Sequence, residues 1–334
     1  MNKPFIVAEM SANHNGSLDR AMAIIDAAKF AGADAIKLQT FTPEQMVGDS
    51  TYCLSGGPWA GRNLLSLYQE AHTPREWHAP LFERAKQLGI ECFSTPFHKD
   101  DVDFLETFGC SRYKIASFEI VDLDLIEACA RTGKPLVIST GMASFDEVCI
   151  AKNKAWESGA RDITLLKCVS SYPTKAKDMN LETMRNLKNI NYHVNEVGLS
   201  DHSQGIGVAV AAATLGASYI EKHFTLSRKN GGLDAAFSME PQEFAQMVYE
   251  CRRAVAAIGY VRYGCMDSEE SSKELRRSLF FACALPKGAK IERHHLKCAR
   301  PALGMAPSAL QSLIGHELAM DVHEGVAVKE EYFL

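Results

Sequence analysis

Short apolar runs that suit buried strands alternate with helical patterns along most of the chain. The strand-like runs cover residues 5–9, 35–38, 91–94, 113–116, 136–139, 163–167, 194–199 and 219–224. Between them, residues 18–31 repeat apolar positions at helical spacing, and residues 123–132 do so before the turn at Gly133. Strict alternation of strand and helix predicts a parallel sheet with right-handed crossovers. Eight such repeats favour closure into a (β/α)8 TIM barrel over an open sheet.

The pattern changes after Ile258. A polar, acidic stretch follows, and then short β-like runs at residues 279–284, 290–291 and 325–328. We therefore predict a catalytic barrel over residues 1–262, a linker over residues 263–277 and a small, mostly-β domain over residues 278–334. Because so small a domain has a thin core by itself, we expect it to dock on a larger body.

One connection of the predicted barrel is unusually long. It joins the second and third strands between Gln39 and Ile90, and only residues 74–88 have a helical pattern. The rest contains Gly56-Gly57-Pro58-Trp59 and several other aromatic residues. A loop of this length is functional or disordered as a rule, and its aromatic content favours order.

Composition excludes several classes of protein. The net charge is −5 with no basic cluster, which argues against nucleic-acid binding. No apolar run approaches the ~20 residues of a membrane span, and strand-like sequence begins at Phe5, so we expect neither a membrane segment nor a signal peptide. Ten cysteines occur without a C-x-x-C pair, which indicates buried thiols in a reducing cytoplasm.

Two of the predicted strands end in histidine. Gly198-Leu199-Ser200-Asp201-His202 and Tyr219-Ile220-Glu221-Lys222-His223 are separated by one Ala- and Val-rich helical segment. Both imidazoles therefore lie at the carboxyl ends of neighbouring parallel strands, where ligands of such folds bind. The alternative is two unrelated structural histidines. Their matched placement favours a site for a divalent metal ion, because histidine is the commonest metal ligand.

Polar residues also follow the other apolar runs. Lys37 and Lys114 lie within strands, where a charge is costly unless it is paired. With nearby hydroxyl groups they suit a phosphate, or a phosphate and a carboxylate. No glycine-rich nucleotide motif is present. A small phosphorylated acid beside a divalent metal suggests that the enzyme makes or breaks carbon–carbon bonds.

Seven motifs in order along the chain resemble the sialic acid synthase family. They lie at residues 8–17, 36–40, 94–97, 113–117, 139–142, 198–202 and 221–224. The tail resembles the antifreeze-like (β-clip) domain of that family, including the pair Arg300-Pro301. Within the family, the loop at residues 57–71 and the segment at residues 77–82 look most like the pseudaminic acid synthases.

The resemblance implies condensation of phosphoenolpyruvate with an open-chain N-acetylated amino sugar, with release of phosphate and use of Mn²⁺ or a similar divalent ion. His202 and His223 would hold the metal. Glu119 would be the acid–base group for the attacking water. Phosphoenolpyruvate would be bound by Lys37, Thr95, Lys114, Ser117 and Ser200, and the sugar by Glu9, Gln39, Tyr172 and Asp234. Ser170 stands where the family carries asparagine, and it can still donate one hydrogen bond.

Two further expectations concern the partner chain and the substrate. A tethered tail in a symmetric homodimer can exchange between subunits, so Arg300 would act on the partner's sugar. The loop residues Tyr52, Leu54, Trp59, Leu64 and Leu65 would form an apolar wall that suits a 6-deoxy sugar. The altrose configuration of that sugar comes only from the resemblance. The alternatives are an N-acetylneuraminic or legionaminic acid synthase, a metal-dependent pyruvate aldolase and a sugar-binding barrel without turnover.

Overall fold

A closed barrel of eight parallel strands forms the first part of the molecule. The computed structural model describes residues 3–190 and 193–334, and it divides into two compact units, the first ending at Gly259 and the second comprising Tyr260–Leu334. The strands follow one another around the barrel in chain order, and β8 pairs with β1. They are β1 (Phe5–Glu9), β2 (Ala35–Thr40), β3 (Glu91–Pro96), β4 (Tyr113–Ile115), β5 (Leu136–Ser139), β6 (Ile163–Cys168), β7 (Glu196–Asp201) and β8 (Tyr219–His223).

Helices surround the barrel as the alternating pattern predicts. Those of the first unit are α1 (Leu18–Phe30), α2 (Leu64–Ala71), α3 (His78–Leu88), α4 (Lys99–Glu106), α5 (Leu123–Arg131), α6 (Phe145–Glu157), α7 (Glu182–Lys188), α8 (Gly207–Thr214) and α9 (Pro241–Ile258). Local signals set their ends. Ser17 accepts a hydrogen bond from the Arg20 N–H and caps α1, and Ser144 and Glu147 form a capping box at α6.

The strands are buried on both faces, which explains their near-continuous apolar runs. Ile6, Ile36, Phe93, Ile138 and Leu165 are fully buried in the single large core of the first unit. Among the described residues, many of the buried polar side chains lie at the carboxyl ends of the strands, including Glu9, Thr95, Ser139, Asp201 and His223. The fold therefore concentrates its polar groups at one rim of the barrel.

Several predicted boundaries were wrong by one or two residues. The structure begins β7 at Glu196, whereas the sequence pattern placed the strand at residues 194–199. In the structure the side chain of Asn195 accepts a hydrogen bond from the Ile163 N–H, so Asn195 lies just before the strand. The shift places Ser200 and Asp201 within β7, directly before His202.

The long connection between β2 and β3 is ordered by helices. The predicted helix at residues 74–88 is a 3-10 turn, Arg75–Trp77, followed by α3. The helix α2 was not predicted. Asn63 caps α2 by accepting a hydrogen bond from the Ser66 N–H at 3.0 Å. Leu64 and Leu65, which we expected in the apolar wall of a loop, begin the helix α2.

The second unit has its own small core. Strand β9 (Ser278–Phe281) pairs antiparallel with β10 (Leu296–Ala299), and the unit contains one short α-helix, α10 (Leu310–Leu313), besides 3-10 turns. Its core residues are Leu279, Phe281, Ile291, Leu296, Leu313, Leu318, Val322 and Val328. The β-like runs predicted at residues 290–291 and 325–328 form only isolated bridges.

The segment predicted as a linker, residues 263–277, contains a regular element. Asp267–Leu275 forms a 3-10 helix, and the Glu269 carboxylate accepts a hydrogen bond from the Met266 N–H at 2.8 Å. Acidic residues in its first turn stabilise that end of the helix. Among the residues that the structure describes, no helix is both long and apolar enough to cross a membrane.

Candidate active site

Four buried charges lie together inside the barrel mouth. Lys37 and Lys114 are 3% and 2% exposed. The Nζ of Lys37 lies 2.7 Å from Glu9 Oε2 and 3.3 Å from Glu221 Oε1, and the Nζ of Lys114 lies 3.9 Å from the same Glu221 oxygen. The two carboxylates thus balance the two ammonium groups that the sequence placed within strands.

The environment separates the pKa values of these groups. Burial raises the pKa of Glu9 to about 7, against the opposing effect of Lys37. Burial also disfavours the Glu221 carboxylate, but Lys114 and Lys37 outweigh it and hold the pKa of Glu221 below its ordinary value. Burial lowers the pKa of Lys114. Lys37 keeps a raised pKa because Glu221 and Glu9 outweigh its burial.

Hydroxyl groups around the lysines are set up as donors. The Lys37 ammonium donates to Thr95 Oγ1 at 3.0 Å, and the Lys114 ammonium donates to Ser139 Oγ at 2.7 Å. The Gly141 N–H donates to Ser117 Oγ at 3.1 Å. Because Thr95 Oγ1 and Ser139 Oγ already accept a hydrogen bond, their own protons can be donated to an anionic ligand.

Gly141 allows two serine side chains to approach the backbone closely. A Cβ atom at Gly141 would lie 2.5 Å from Ser170 Oγ and 2.7 Å from Ser117 Oγ. The Ser170 Oγ atom is buried and has no hydrogen-bond partner among the described residues. Ser170, the departure from the family pattern, is therefore placed to donate to a ligand beside Ser117. Ser200, across the site, donates to Glu221 at 3.4 Å.

Glu119 ends the 3-10 turn Ser117–Glu119 that follows β4. Its Oε2 atom is buried and has no hydrogen-bond partner within the described structure. Burial raises the pKa of Glu119 to about 7, and Lys114 partly opposes this rise. A half-buried carboxyl with a pKa near neutrality can accept or release a proton during a reaction.

The two predicted metal ligands face each other across β7 and β8. The ring centroids of His202 and His223 are 5.3 Å apart. The Nδ1–H of His202 donates to the Val169 carbonyl at 2.9 Å, so Nε2 carries the lone pair when the ring is neutral. The Nδ1 of His223 is buried and has no hydrogen-bond partner in the described chain. Burial and the nearby His202 hold the pKa of His223 well below its ordinary value, so it is neutral.

These features fit a divalent cation. A neutral imidazole with a buried nitrogen that lacks a partner suits a metal ligand. The pKa of His202 is raised above its ordinary value, because Cys168, whose Sγ lies 3.9 Å from Nδ1, and the Val169 carbonyl outweigh the opposing effect of burial. In the second unit, the exposed residues Glu292 and His294 and the half-exposed His295 also bring ligand atoms within 4.8 Å of one another, which the sequence reasoning did not predict.

The predicted sugar-binding residues Glu9, Gln39, Tyr172 and Asp234 have different surroundings in the structure. Gln39 Nε2 donates to Glu9 Oε1 at 3.1 Å, so Glu9 and Gln39 lie with the buried lysines. Tyr172 packs on the histidines, with its ring 4.3 Å from that of His202. Asp234 is buried and accepts a hydrogen bond from the Ser11 hydroxyl at 2.5 Å.

Of the predicted apolar wall, Trp59 reaches this site. Its ring lies 5.7 Å from that of Tyr172, and its indole N–H donates to the Leu233 carbonyl at 3.1 Å. Tyr52 is 50% exposed. Phe237, which the sequence reasoning missed, packs on both Tyr172 and His223 at 5.1 Å. Arg300 belongs to the second unit, where it is exposed directly after β10.

Sequence reasoning also missed Ser139 and Glu221. Both lie on strands that the sequence pattern predicted. Ser139 contacts Lys114, and Glu221 contacts Lys37. Glu221 precedes His223 by two residues, so the alternation of side chains along β8 places them on the same face. Ser139 is the last residue of β5. Alternation along β8 is therefore the signal that could have found Glu221, and the end of the fifth apolar run is the signal that could have found Ser139.

A closed (β/α)8 barrel whose mouth carries two buried lysines, a carboxyl with a pKa of about 7 and two histidines has the architecture of a barrel enzyme. The sequence profile of the NeuB family matches residues 24–263. The chain belongs to the NeuB family.

Its relatives agree with this assignment. The chain is 42% identical over 334 residues to the pseudaminic acid synthase of Campylobacter jejuni subsp. jejuni serotype O:23/36 (strain 81-176), covering 99% of this chain and 97% of that protein. It is 43% identical to the pseudaminic acid synthase of Helicobacter pylori, covering 95% and 94%. A crystal structure of N-acetylneuraminic acid synthetase from Leptospira borgpetersenii in complex with citrate superposes with a TM-score of 0.73 at 34% identity, over 81% of this chain and 90% of that one.

Proposed function

We propose that the protein is a phosphoenolpyruvate-dependent nonulosonic acid synthase with the activity of a pseudaminic acid synthase. It would condense phosphoenolpyruvate with a 6-deoxy-2,4-diacetamido hexose of altrose configuration to give a nine-carbon 2-keto acid and phosphate. The observation that carries this proposal is the buried lysine pair with hydroxyl donors, directly beside two histidines. The full-length identity of 42% to a pseudaminic acid synthase supports it.

Phosphoenolpyruvate would occupy the pocket around Lys37 and Lys114. Two ammonium groups suit its carboxylate and phosphate, and the hydroxyls of Thr95, Ser117, Ser170 and Ser200 supply directed hydrogen bonds. The buried carboxylates also matter. Glu9, with a pKa of about 7, can take up a proton when an anion enters, which reduces repulsion in the pocket.

Glu119 would activate the water that attacks the pyruvyl C2. Its free, buried Oε2 is an acceptor without a competing partner among the described residues. With a pKa of about 7 it is partly ionised at neutral pH and can accept the proton of that water. The hydroxyls and Lys114 then retain the phosphate until the carbon–oxygen bond to it breaks.

His202 and His223 would hold a divalent cation, which we take to be Mn²⁺. Such a cation, when bound, acts as a Lewis acid on the aldehyde of the sugar. Tyr172, Phe237 and Trp59 form an apolar surface on these histidines and exclude water from the reacting carbon. Asp234, Glu9 and Gln39 offer the polar groups that orient the hydroxyl and acetamido groups of the sugar.

The second unit would be an antifreeze-like domain that acts on the partner subunit of a homodimer. The start of the second unit supports this, because Tyr260, Val261 and Tyr263 are 77%, 86% and 94% exposed in the single chain. So much exposed apolar surface indicates a protein partner. Arg300, also exposed, would reach the sugar in the partner's barrel.

We also propose a reducing, cytoplasmic location for the enzyme. All ten cysteines are free thiols, and burial raises the pKa of Cys92, Cys110 and Cys129 above the ordinary value. Such thiols remain protonated and unreactive. Their number suits a compartment in which disulfides do not form.

Phosphate release is the test of this function. Mixing phosphoenolpyruvate, Mn²⁺ and the diacetamido sugar should release phosphate and consume the sugar in equal amounts, and chelation should stop both. Pyruvate in place of phosphoenolpyruvate should give no product. Condensation with pyruvate would instead indicate an aldolase, and sugar binding without consumption would indicate a barrel without turnover.

A further inference from the structure

A buried ion pair lies directly behind the two histidines. Asp201 ends β7 and Lys222 is the residue before His223 on β8, and the two are Cα partners in the sheet register. The Nζ of Lys222 lies 2.6 Å from Asp201 Oδ2, and the two side chains are 1% and 0% exposed. Neither residue has a role in the function proposed above.

The pair lies on the opposite face of the strands from the histidines. Successive side chains of a strand point to opposite sides, so Lys222 faces away from Glu221 and His223. The neighbours of the pair agree. Cys251 lies on α9, and its pKa is raised by burial and then by Asp201, while Lys222 opposes that rise. The ion pair is therefore packed between the barrel wall and α9.

The same two side chains also fix the backbone on the far side of His202. The Lys222 ammonium donates to the Ser203 carbonyl at 2.5 Å, and Asp201 Oδ1 accepts from the Ser203 N–H at 2.8 Å. Both neighbours of His202 in sequence are thus bound to the residue that precedes His223. The ring of His202 is held separately by Val169.

Stability alone is a poor explanation for this pair. Replacing a buried ion pair by apolar side chains of similar volume is often neutral or stabilising, because both charges lose their hydration. Register is a better explanation, since a slip of one residue between β7 and β8 would turn His223 to the helix side. We propose that Asp201 and Lys222 are positioning residues that set His202 and His223 at the spacing required to bind one divalent cation. This inference rests on the proposed metal site.

The test measures binding of Mn²⁺ to the full-length protein after treatment with chelator, without any assay of turnover. The double variant Asp201→Asn with Lys222→Met removes both charges and keeps an oxygen acceptor for the Ser203 N–H. Calorimetric titration should show Mn²⁺ binding weakened about tenfold or more, the effect expected for supporting groups around a metal site. The electron paramagnetic resonance spectrum of bound Mn²⁺ should change as well. Circular dichroism and thermal melting establish that the variant is folded.

A second ion pair provides the matched control. Arg112 and Glu91 are joined at 2.6 Å and lie near the start of β3 and β4, at the other end of the strands. The variant Glu91→Gln with Arg112→Met should bind Mn²⁺ like the wild type.

Three results would overturn the inference. A folded Asp201–Lys222 double variant with wild-type affinity contradicts the positioning role alone. A wild-type protein that does not bind Mn²⁺ contradicts the metal site itself, and the positioning role with it. If the double variant does not fold, Mn²⁺ binding is measured on the single variant Asp201→Asn. Weaker binding than in the wild type supports the inference, and unchanged binding overturns it.

Discussion

Several polar side chains of this site have a buried atom without a hydrogen-bond partner among the described residues. Glu119 Oε2, Ser170 Oγ and His223 Nδ1 are buried and have no partner in the described part of the chain. Buried polar atoms are nearly always satisfied in folded proteins, so a group of exceptions at one rim indicates a place for a ligand. None of the three absences could be read from the sequence, which gives the residue types but not their partners.

Glu119→Gln should retain binding of phosphoenolpyruvate and lose turnover. We expect kcat to fall about 10²- to 10⁴-fold, because the amide cannot accept a proton. In the wild type kcat should rise as pH increases through about 7, where the Glu119 carboxyl ionises. That rise should be absent from the residual activity of the variant. Stopped-time phosphate assays between pH 5.5 and 9 measure both, and the exposed Glu157→Gln is the control. A variant with wild-type kcat contradicts the role of Glu119.

Gly141→Ala should weaken binding of phosphoenolpyruvate without unfolding the barrel. The new Cβ would meet Ser170 Oγ and Ser117 Oγ at 2.5 and 2.7 Å and displace both hydroxyls. Loss of one or two hydrogen bonds to a charged ligand, each about 1.5–3 kcal/mol, should raise the KM for phosphoenolpyruvate roughly tenfold or more. Gly48→Ala, where a Cβ meets nothing within 4 Å, is the matched control. Equal KM values in the two variants would refute the role of these serines.

At the level of elements, the barrel strands could be predicted and the long connection could not. Strands buried on both faces have near-continuous apolar runs, so their number and order follow from the sequence. The pattern of residues 64–71 is short and mostly apolar, and such a run does not distinguish a helix from packed loop. Its cap at Asn63 was the available signal.

The candidate site was predictable to the same degree. Residues at or near the carboxyl ends of strands, such as Gln39, Thr95 and His223, could be placed at the rim because parallel strands end together. Glu221 and Phe237 could not be placed so easily. Glu221 lies within β8, and Phe237 lies on a 3-10 turn whose path depends on tertiary packing.

For the whole molecule, the account expects two chains to complete each other's sites. Refolding a mixture of His202→Ala and Arg300→Ala chains tests this. If the tails exchange, each mixed dimer contains one site with neither defect. Random pairing makes half of the dimers mixed, so about one quarter of wild-type activity should return. Each variant refolded alone is the control. No recovery in the mixture would show that each tail serves its own barrel.

The central claim concerns the substrate, and competition between sugars tests it most directly. The measurement is kcat/KM, from phosphate release with saturating phosphoenolpyruvate, for the 6-deoxy-2,4-diacetamido altrose and for N-acetylmannosamine. Trp59, Tyr172 and Phe237 present an apolar surface beside the histidines, where a terminal methyl fits and a hydroxymethyl finds no partner. Apolar pockets reject a hydroxylated analogue by about 10²-fold, so we predict a preference for the 6-deoxy sugar of about that order. Comparable or higher kcat/KM with N-acetylmannosamine would contradict the account.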